Sequence, residues 1–101
     1  MSQRYRSFAD FYPFYLSQHK DQRNRRMHFL ASWVVIAFAV ASIVTGNRAL
    51  LIGAPVGGYF CAWIGHFFFE KNKPATFTYP IYSLIGDWVM FYQMLTGRIP
   101  V

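Results

Sequence analysis

Read from the amino terminus, the chain passes from a mixed polar and aromatic segment into long apolar runs. Phe29 to Gly46 reads FLASWVVIAFAVASIVTG, and no formal charge occurs between His28 and Arg48. In helical form such a run covers the roughly 30 Å hydrocarbon core of a bilayer. It is apolar on every face, whereas a helix lying on a soluble core has one apolar stripe and a polar back. Residues 28–46 are therefore read as a first transmembrane helix. Ala49 to Phe69, ALLIGAPVGGYFCAWIGHFFF, repeats the pattern and predicts a second over 49–69. The intervening Gly46-Asn47-Arg48 leaves room only for a tight hairpin. A third apolar stretch, 78–96, carries Pro80 near its start and Asp87 near its middle. An ionisable group at that depth is costly unless it faces protein or water. This segment is read as a third transmembrane helix whose Asp87 either partners a buried polar group or belongs to a site.

Ahead of the first run, residues 7–19 predict a short helix with Asp10 as N-cap and Pro13 in the first turn, where its missing N–H costs little. Phe8, Phe11, Tyr12, Phe14 and Tyr15 make it too apolar for free water. It is expected as an amphipathic or re-entrant helix, lying in the membrane interface or tucked against the spans. In the second run Gly53, Gly57, Cys61 and Gly65 recur every four residues and form a face that a neighbouring backbone can approach closely. Ala37, Ala41 and Thr45 offer a matching face on the first, and such faces also suit a homo-oligomer. The expected fold class is all-α: one integral membrane helical bundle over 1–101, with about three transmembrane helices plus the N-terminal helix.

Composition sharpens this picture. Of 101 residues 54% are hydrophobic and only 14% charged, against roughly 25% charged in ordinary soluble domains. A soluble chain this small is mostly surface and needs charge to cover it. The net charge of +6 would suit a nucleic-acid binder, but six of the ten Lys and Arg cluster between Arg4 and Arg26, as a membrane flank does. No nucleic acid is expected as a partner. Adding Lys71 and Lys73 puts eight of ten basic residues on one side of the predicted hairpin, with Arg48 and Arg98 opposite. The N-terminus and the 70–77 loop are thus expected in the cytoplasm, the membrane being the inner membrane in a bacterium or the endoplasmic reticulum in a eukaryote. A basic segment of 27 residues precedes the first run, which argues against a signal peptide. The single cysteine, Cys61, excludes an intrachain disulfide and any cysteine-based zinc motif.

Candidate chemistry lies in the only three histidines, His19, His28 and His66. A hairpin brings the start of its first helix and the end of its second to the same membrane face, so all three converge there. On one continuous helix His19 and His28 would point in opposite directions, roughly 13 Å apart. The polar segment Lys20-Asp-Gln-Arg-Asn24 is turn-competent, so a chain break there folds His19 back. Three imidazoles with a carboxylate nearby suit a transition metal such as iron(II) or zinc; interfacial anchoring or packing would use the same residues. Glu70 shares a helix face with His66, and Asn24 does so with His28.

At this point a resemblance appears. Phe11-Tyr-Pro-Phe-Tyr15, then His19, Asn24 and His28, and after the hairpin Gly65-His-Phe-Phe-Phe-Glu-Lys-Asn-Lys-Pro-Ala-Thr76, resemble the small membrane family known as domain of unknown function 962. Its members include a fungal endoplasmic-reticulum 2-hydroxy fatty acid dioxygenase. The short connection between the first two runs and the ending Tyr-Pro-Ile-Tyr-Ser-Leu-Ile-Gly-Asp-Trp-Val-Met look like the compact bacterial branch. The resemblance implies an iron(II)-dependent α-oxidation, using dioxygen and no 2-oxoglutarate, that makes a 2-hydroxy fatty acid one carbon shorter. It implies His19, His28 and His66 as metal ligands; beside them, helix spacing makes Asn24 and Glu70 the candidates to orient imidazole N–H groups or, for Glu70, to ligate. Of Arg25, Arg26, Lys71 and Lys73, which bracket the site, one or two would pair with the substrate carboxylate while the others serve as positive-inside flanks, and Trp33, Tyr59, Trp63 and Phe67 would surround the acyl tail in the lipid bilayer. The alternatives are a non-catalytic membrane interaction protein and a lipid-modifying zinc hydrolase.

Overall fold

The computed structural model describes residues 5–101; Arg4, first of the N-terminal basic cluster, lies outside them. Among the described residues all regular structure is helical. Helix α1 spans Phe8–Ser17 and is capped by Ser7, whose Oγ accepts from the Asp10 N–H at 3.1 Å. Asp10 is therefore not the cap. It sits in the first turn, where a carboxylate complements the helix dipole. Pro13 falls inside the helix instead of in its first turn, so one internal carbonyl lacks its usual donor.

Asp21 starts α2, Gln22–Thr45, by accepting the Arg23 N–H at 2.8 Å. The helix ends at Gly46, whose φ of 71° is the left-handed turn that glycine supplies without strain. Asn47 Oδ1 accepts from the Ala49 N–H at 3.0 Å and leads into α3, Leu50–Ile64. That helix continues through a widened π-helical segment, Gly65–Glu70. A short 3₁₀ turn, Ala75–Phe77, precedes α4, Pro80–Leu95. With 16 residues α4 is about 24 Å long, shorter than the hydrocarbon core that the predicted third span would have to cross.

The glycines of α3 do meet α2, mainly at its bulky side chains. Gly53 lies against the Phe38 ring, and a Cβ at Gly57 or Gly58 would stand 2.7 Å from Val34 Cγ1 or 2.8 Å from Val35 Cγ2. Ala37 and Thr45, expected to match that face, are exposed. The reason is steric: a notch on one helix is filled by a bulky side chain of the other. Helix α1 is tucked against α4, with Phe11 and Tyr15 fully buried among Ala75, Met90 and Met94.

Two helical segments, Gln22–Thr45 and Leu50–Glu70, are long and apolar enough to cross a membrane. Only 22% and 28% of their apolar windows are buried within the protein, so neither is enclosed as a soluble core helix is. Ile43, Val44, Ile52, Phe60 and Phe68 are largely exposed. An apolar surface of that extent needs a non-aqueous neighbour or a partner.

Candidate metal centre

The centre is assembled by three chain reversals. The first is the break between α1 and α2, where His19 follows the last turn of α1 and Asp21 caps the next helix. The second is the α2–α3 hairpin, which returns His66 to the level of His28. The third is Lys71, whose φ of 60° turns the chain back so that the Asn72 N–H reaches the His66 carbonyl at 3.0 Å. The widened helical turn that carries His66 is a geometry often found at functional sites. Gly65 permits the approach of α2, because a Cβ there would overlap Asn24 Oδ1 and stand 3.1 Å from Met27 Cβ.

His19, His28 and His66 are all buried, and their ring centroids lie 4.4, 4.6 and 4.9 Å apart. One ring nitrogen from each falls within 4.8 Å of the others, and the three form a group that could hold a metal ion. Nδ1 of His19 and of His66 is hydrogen-bonded from outside the cluster, and that of His28 faces a carboxylate. His19 Nδ1 is 2.7 Å from the Tyr15 carbonyl, which can only accept, so that nitrogen carries the proton. His66 Nδ1 is 2.7 Å from Asn72 Oδ1. The Asn72 amide faces this way because its Nδ2 donates to the Gln18 carbonyl at 3.1 Å and to Gln18 Oε1 at 3.2 Å. His28 Nδ1 lies 3.6 Å from Asp87 Oδ1, which also accepts from the Tyr15 hydroxyl.

A proton at Nδ1 of His19 and of His66 leaves the Nε2 lone pair of each available. The Nε2 atoms of His19 and His28 are buried without a hydrogen-bond partner. Burial holds the His19 imidazole well below its ordinary pKa range, and His28 and His66 push it the same way. It is therefore neutral, the form in which imidazole binds metals.

The other expected site residues are placed differently. Glu70 and Asn24 do not orient the imidazoles. Glu70 Oε1 accepts from the Asp21 N–H at 2.8 Å and from Asn24 Nδ2 at 3.3 Å, so the pair clasps the α1–α2 turn. The unpaired backbone donor at the start of α2 is a nearer partner for a carboxylate than a ring already served by Asn72. Arg25 donates to the His19 and Lys20 carbonyls at 3.1 and 2.8 Å and ties down the same turn. Arg26, Lys71 and Lys73 are exposed around it. Asn72 and the Tyr15 carbonyl were not foreseen. The signal for Asn72 was its place in the polar loop just after His66, which spacing on a regular helix does not reach.

Beneath the histidines a cavity of about 300 Å³ runs between α2, α3 and α4, lined by His28, Asp87 and mainly apolar side chains. Of the four aromatics expected around an acyl tail only Tyr59 lines it. Trp33 packs on Phe29 and Phe91, and Trp63 on Phe77, away from the cavity lining.

Fold and site define an all-α protein with two long apolar helices and a buried three-histidine group competent to hold a metal. The family comparison agrees with that class. The chain belongs to the 2-hydroxy-palmitic acid dioxygenase Mpo1-like family, whose profile it matches over residues 5–99. No curated protein and no solved structure matches it.

Proposed function

We propose that the chain is an integral membrane, non-haem iron(II) dioxygenase that shortens 2-hydroxy fatty acids by one carbon. The observation that carries this reading is the pair of buried, unpartnered Nε2 atoms on His19 and His28, beside His66. Leaving such buried atoms unbonded costs roughly 1–3 kcal/mol each, and a divalent transition metal suits three imidazoles. His19, His28 and His66 would hold iron(II), which when bound supplies the dioxygen chemistry named in the family's description.

The chain's own residues do the rest. The Tyr15 carbonyl and Asn72 hold the Nδ1 protons of His19 and His66 outward, Asp87 faces His28 Nδ1, and together they keep the rings turned inward. Burial of all three rings excludes bulk water. Arg26, Lys71 and Lys73 surround the site with positive charge and draw a carboxylate to it. The overall reaction balances as one 2-hydroxy acid and one dioxygen giving the shorter acid, carbon dioxide and water. Dioxygen accepts the four electrons lost from the two terminal carbons.

The poorly buried apolar faces of α2 and α3 support a bilayer setting. The bias of basic residues toward one side supports a cytoplasmic setting for the histidine end and the N-terminus, in the inner membrane of a bacterium or the endoplasmic reticulum of a eukaryote. The test is oxygen uptake by purified, iron-loaded protein. 2-Hydroxypalmitate should be shortened by one carbon and palmitate, which lacks the hydroxyl, left intact; the H66A variant should do neither. Iron-loaded protein that consumes no oxygen with any 2-hydroxy acyl chain overturns the proposal, and activity with zinc in the absence of oxygen replaces it with a hydrolase.

A further inference from the structure

The cavity below the histidines has a shape that bears on how a substrate reaches them. Helix α2 forms its back wall with His28, Ala31, Ser32 and Val35, while α3 and α4 form the two sides. On the α3 side Ala54, Gly58 and Ala62 leave space between the larger Pro55 and Tyr59, so the cavity is opened by missing side-chain volume at those three positions. The α4 side is Leu84, Asp87 and Trp88. Leu84 and Trp88 also line a second, shallower groove on the outer face of α4, together with Ile85, Val89 and Tyr92. The two spaces therefore share a rim, and that rim is exposed: Leu84 is 47% and Trp88 36% accessible.

We propose that the wedge between α3 and α4 is the acyl-chain site, and that a chain enters sideways from the bilayer over the Leu84–Trp88 rim. The proposal rests on reading the chain as an enzyme of 2-hydroxy fatty acids. Two observations select this occupant. The upper end of the cavity is His28 and Asp87, one a member of the histidine cluster and the other the carboxylate facing it, so a head group at the centre projects its tail into this space. The remaining walls are almost entirely apolar, and they lie along helices whose outer faces are themselves apolar and exposed.

Dimensions follow from the helices. From His28 to Val35 is seven residues of α2, about 10 Å at 1.5 Å per residue. An extended hydrocarbon advances about 1.25 Å per carbon, given a bond of about 1.52 Å and an angle near 111°. The wedge thus holds about eight carbons, and the remainder of a palmitoyl-length chain passes over the rim into lipid. The site grips the carbons near the carboxylate and does not measure the whole chain.

The wild-type protein in bilayer nanodiscs tests this directly, with a 2-hydroxypalmitate bearing a diazirine near the eighth carbon. Adducts should concentrate on the Ala54–Tyr59 stretch of α3 and on Leu84 and Trp88, and excess unlabelled 2-hydroxypalmitate should abolish them. Labelling spread over the outer residues Phe60 and Phe68, without competition, overturns the site whether or not the protein is active. A second measurement uses A54F, which fills the deep end. The ratio of kcat/KM for 2-hydroxypalmitate to that for 2-hydroxyhexanoate should fall at least tenfold; an unchanged ratio with normal iron content also overturns it. Wild-type protein inactive on both acids but labelled competitively in the wedge would instead overturn the dioxygenase reaction and leave the chain-binding site standing.

Discussion

Asn72 joins two tasks that a pair of substitutions can separate. Its Oδ1 receives the His66 Nδ1 proton at 2.7 Å, while its Nδ2 donates to the Gln18 carbonyl and side chain at 3.1 and 3.2 Å. Asn72→Ala removes both functions. It leaves a buried ring N–H without an acceptor, a cost of roughly 1–3 kcal/mol in stability. It also frees the ring of a ligand histidine, and loss of such an orienting partner typically costs about 10–100-fold in metal affinity, equivalent to about 1.4–2.7 kcal/mol. Asn72→Asp keeps an acceptor for Nδ1 but replaces the two donor contacts with a carboxylate facing the Gln18 carbonyl. It should therefore lose stability while holding metal at least as well as N72A by tenfold. Anaerobic iron(II) titration of detergent-solubilised protein measures the first quantity and thermal unfolding of the metal-free protein the second. If N72A binds iron with wild-type affinity, or if N72D and N72A bind it equally weakly, the assignment of Asn72 as the orienting partner of His66 is wrong.

Single replacements of His19, His28 and His66 by Ala should each remove most bound iron, measured by elemental analysis, while the protein still fractionates with membranes; normal content in all three would refute the shared site. Gly65→Ala should destabilise the helical hairpin by about 1–3 kcal/mol, since its Cβ meets Asn24 and Met27; a wild-type melting temperature would show that the α2–α3 approach is looser than described. With Cys61 replaced, a cysteine at Lys73 should react only with a reagent supplied from the cytoplasm and one at Asn47 only from outside. The reverse pattern would invert the orientation, and labelling of both from one side would contradict the hairpin's passage across the membrane.

Much of the helical framework was legible in the residue pattern because its determinants are local. The length and apolarity of 28–46 and 49–69, and the brevity of Gly46-Asn47-Arg48, describe segments without reference to anything else. The break after His19 was readable for the same reason: Lys20 to Asn24 is polar and turn-prone, and the chain does turn there. Helix ends were less legible. Ser7 and Asp10 are both good cap residues, and the structure uses Ser7, whose Oγ accepts from the Asp10 N–H.

What the amino-acid order determined by itself was an all-helical chain with two long apolar helices in a hairpin and three histidines drawn to one end of it. Which partners hold those histidines was decided only by tertiary structure. Asn72 meets Gln18 across 54 residues and Tyr15 meets Asp87 across 72, and no periodicity links positions so far apart. Glu70 stood at the right helical spacing to serve His66, yet it serves the part-buried backbone start of α2 instead. A carboxylate takes the strongest unpaired donor within reach, and which donor that is depends on where the chain reversals bring the helix ends.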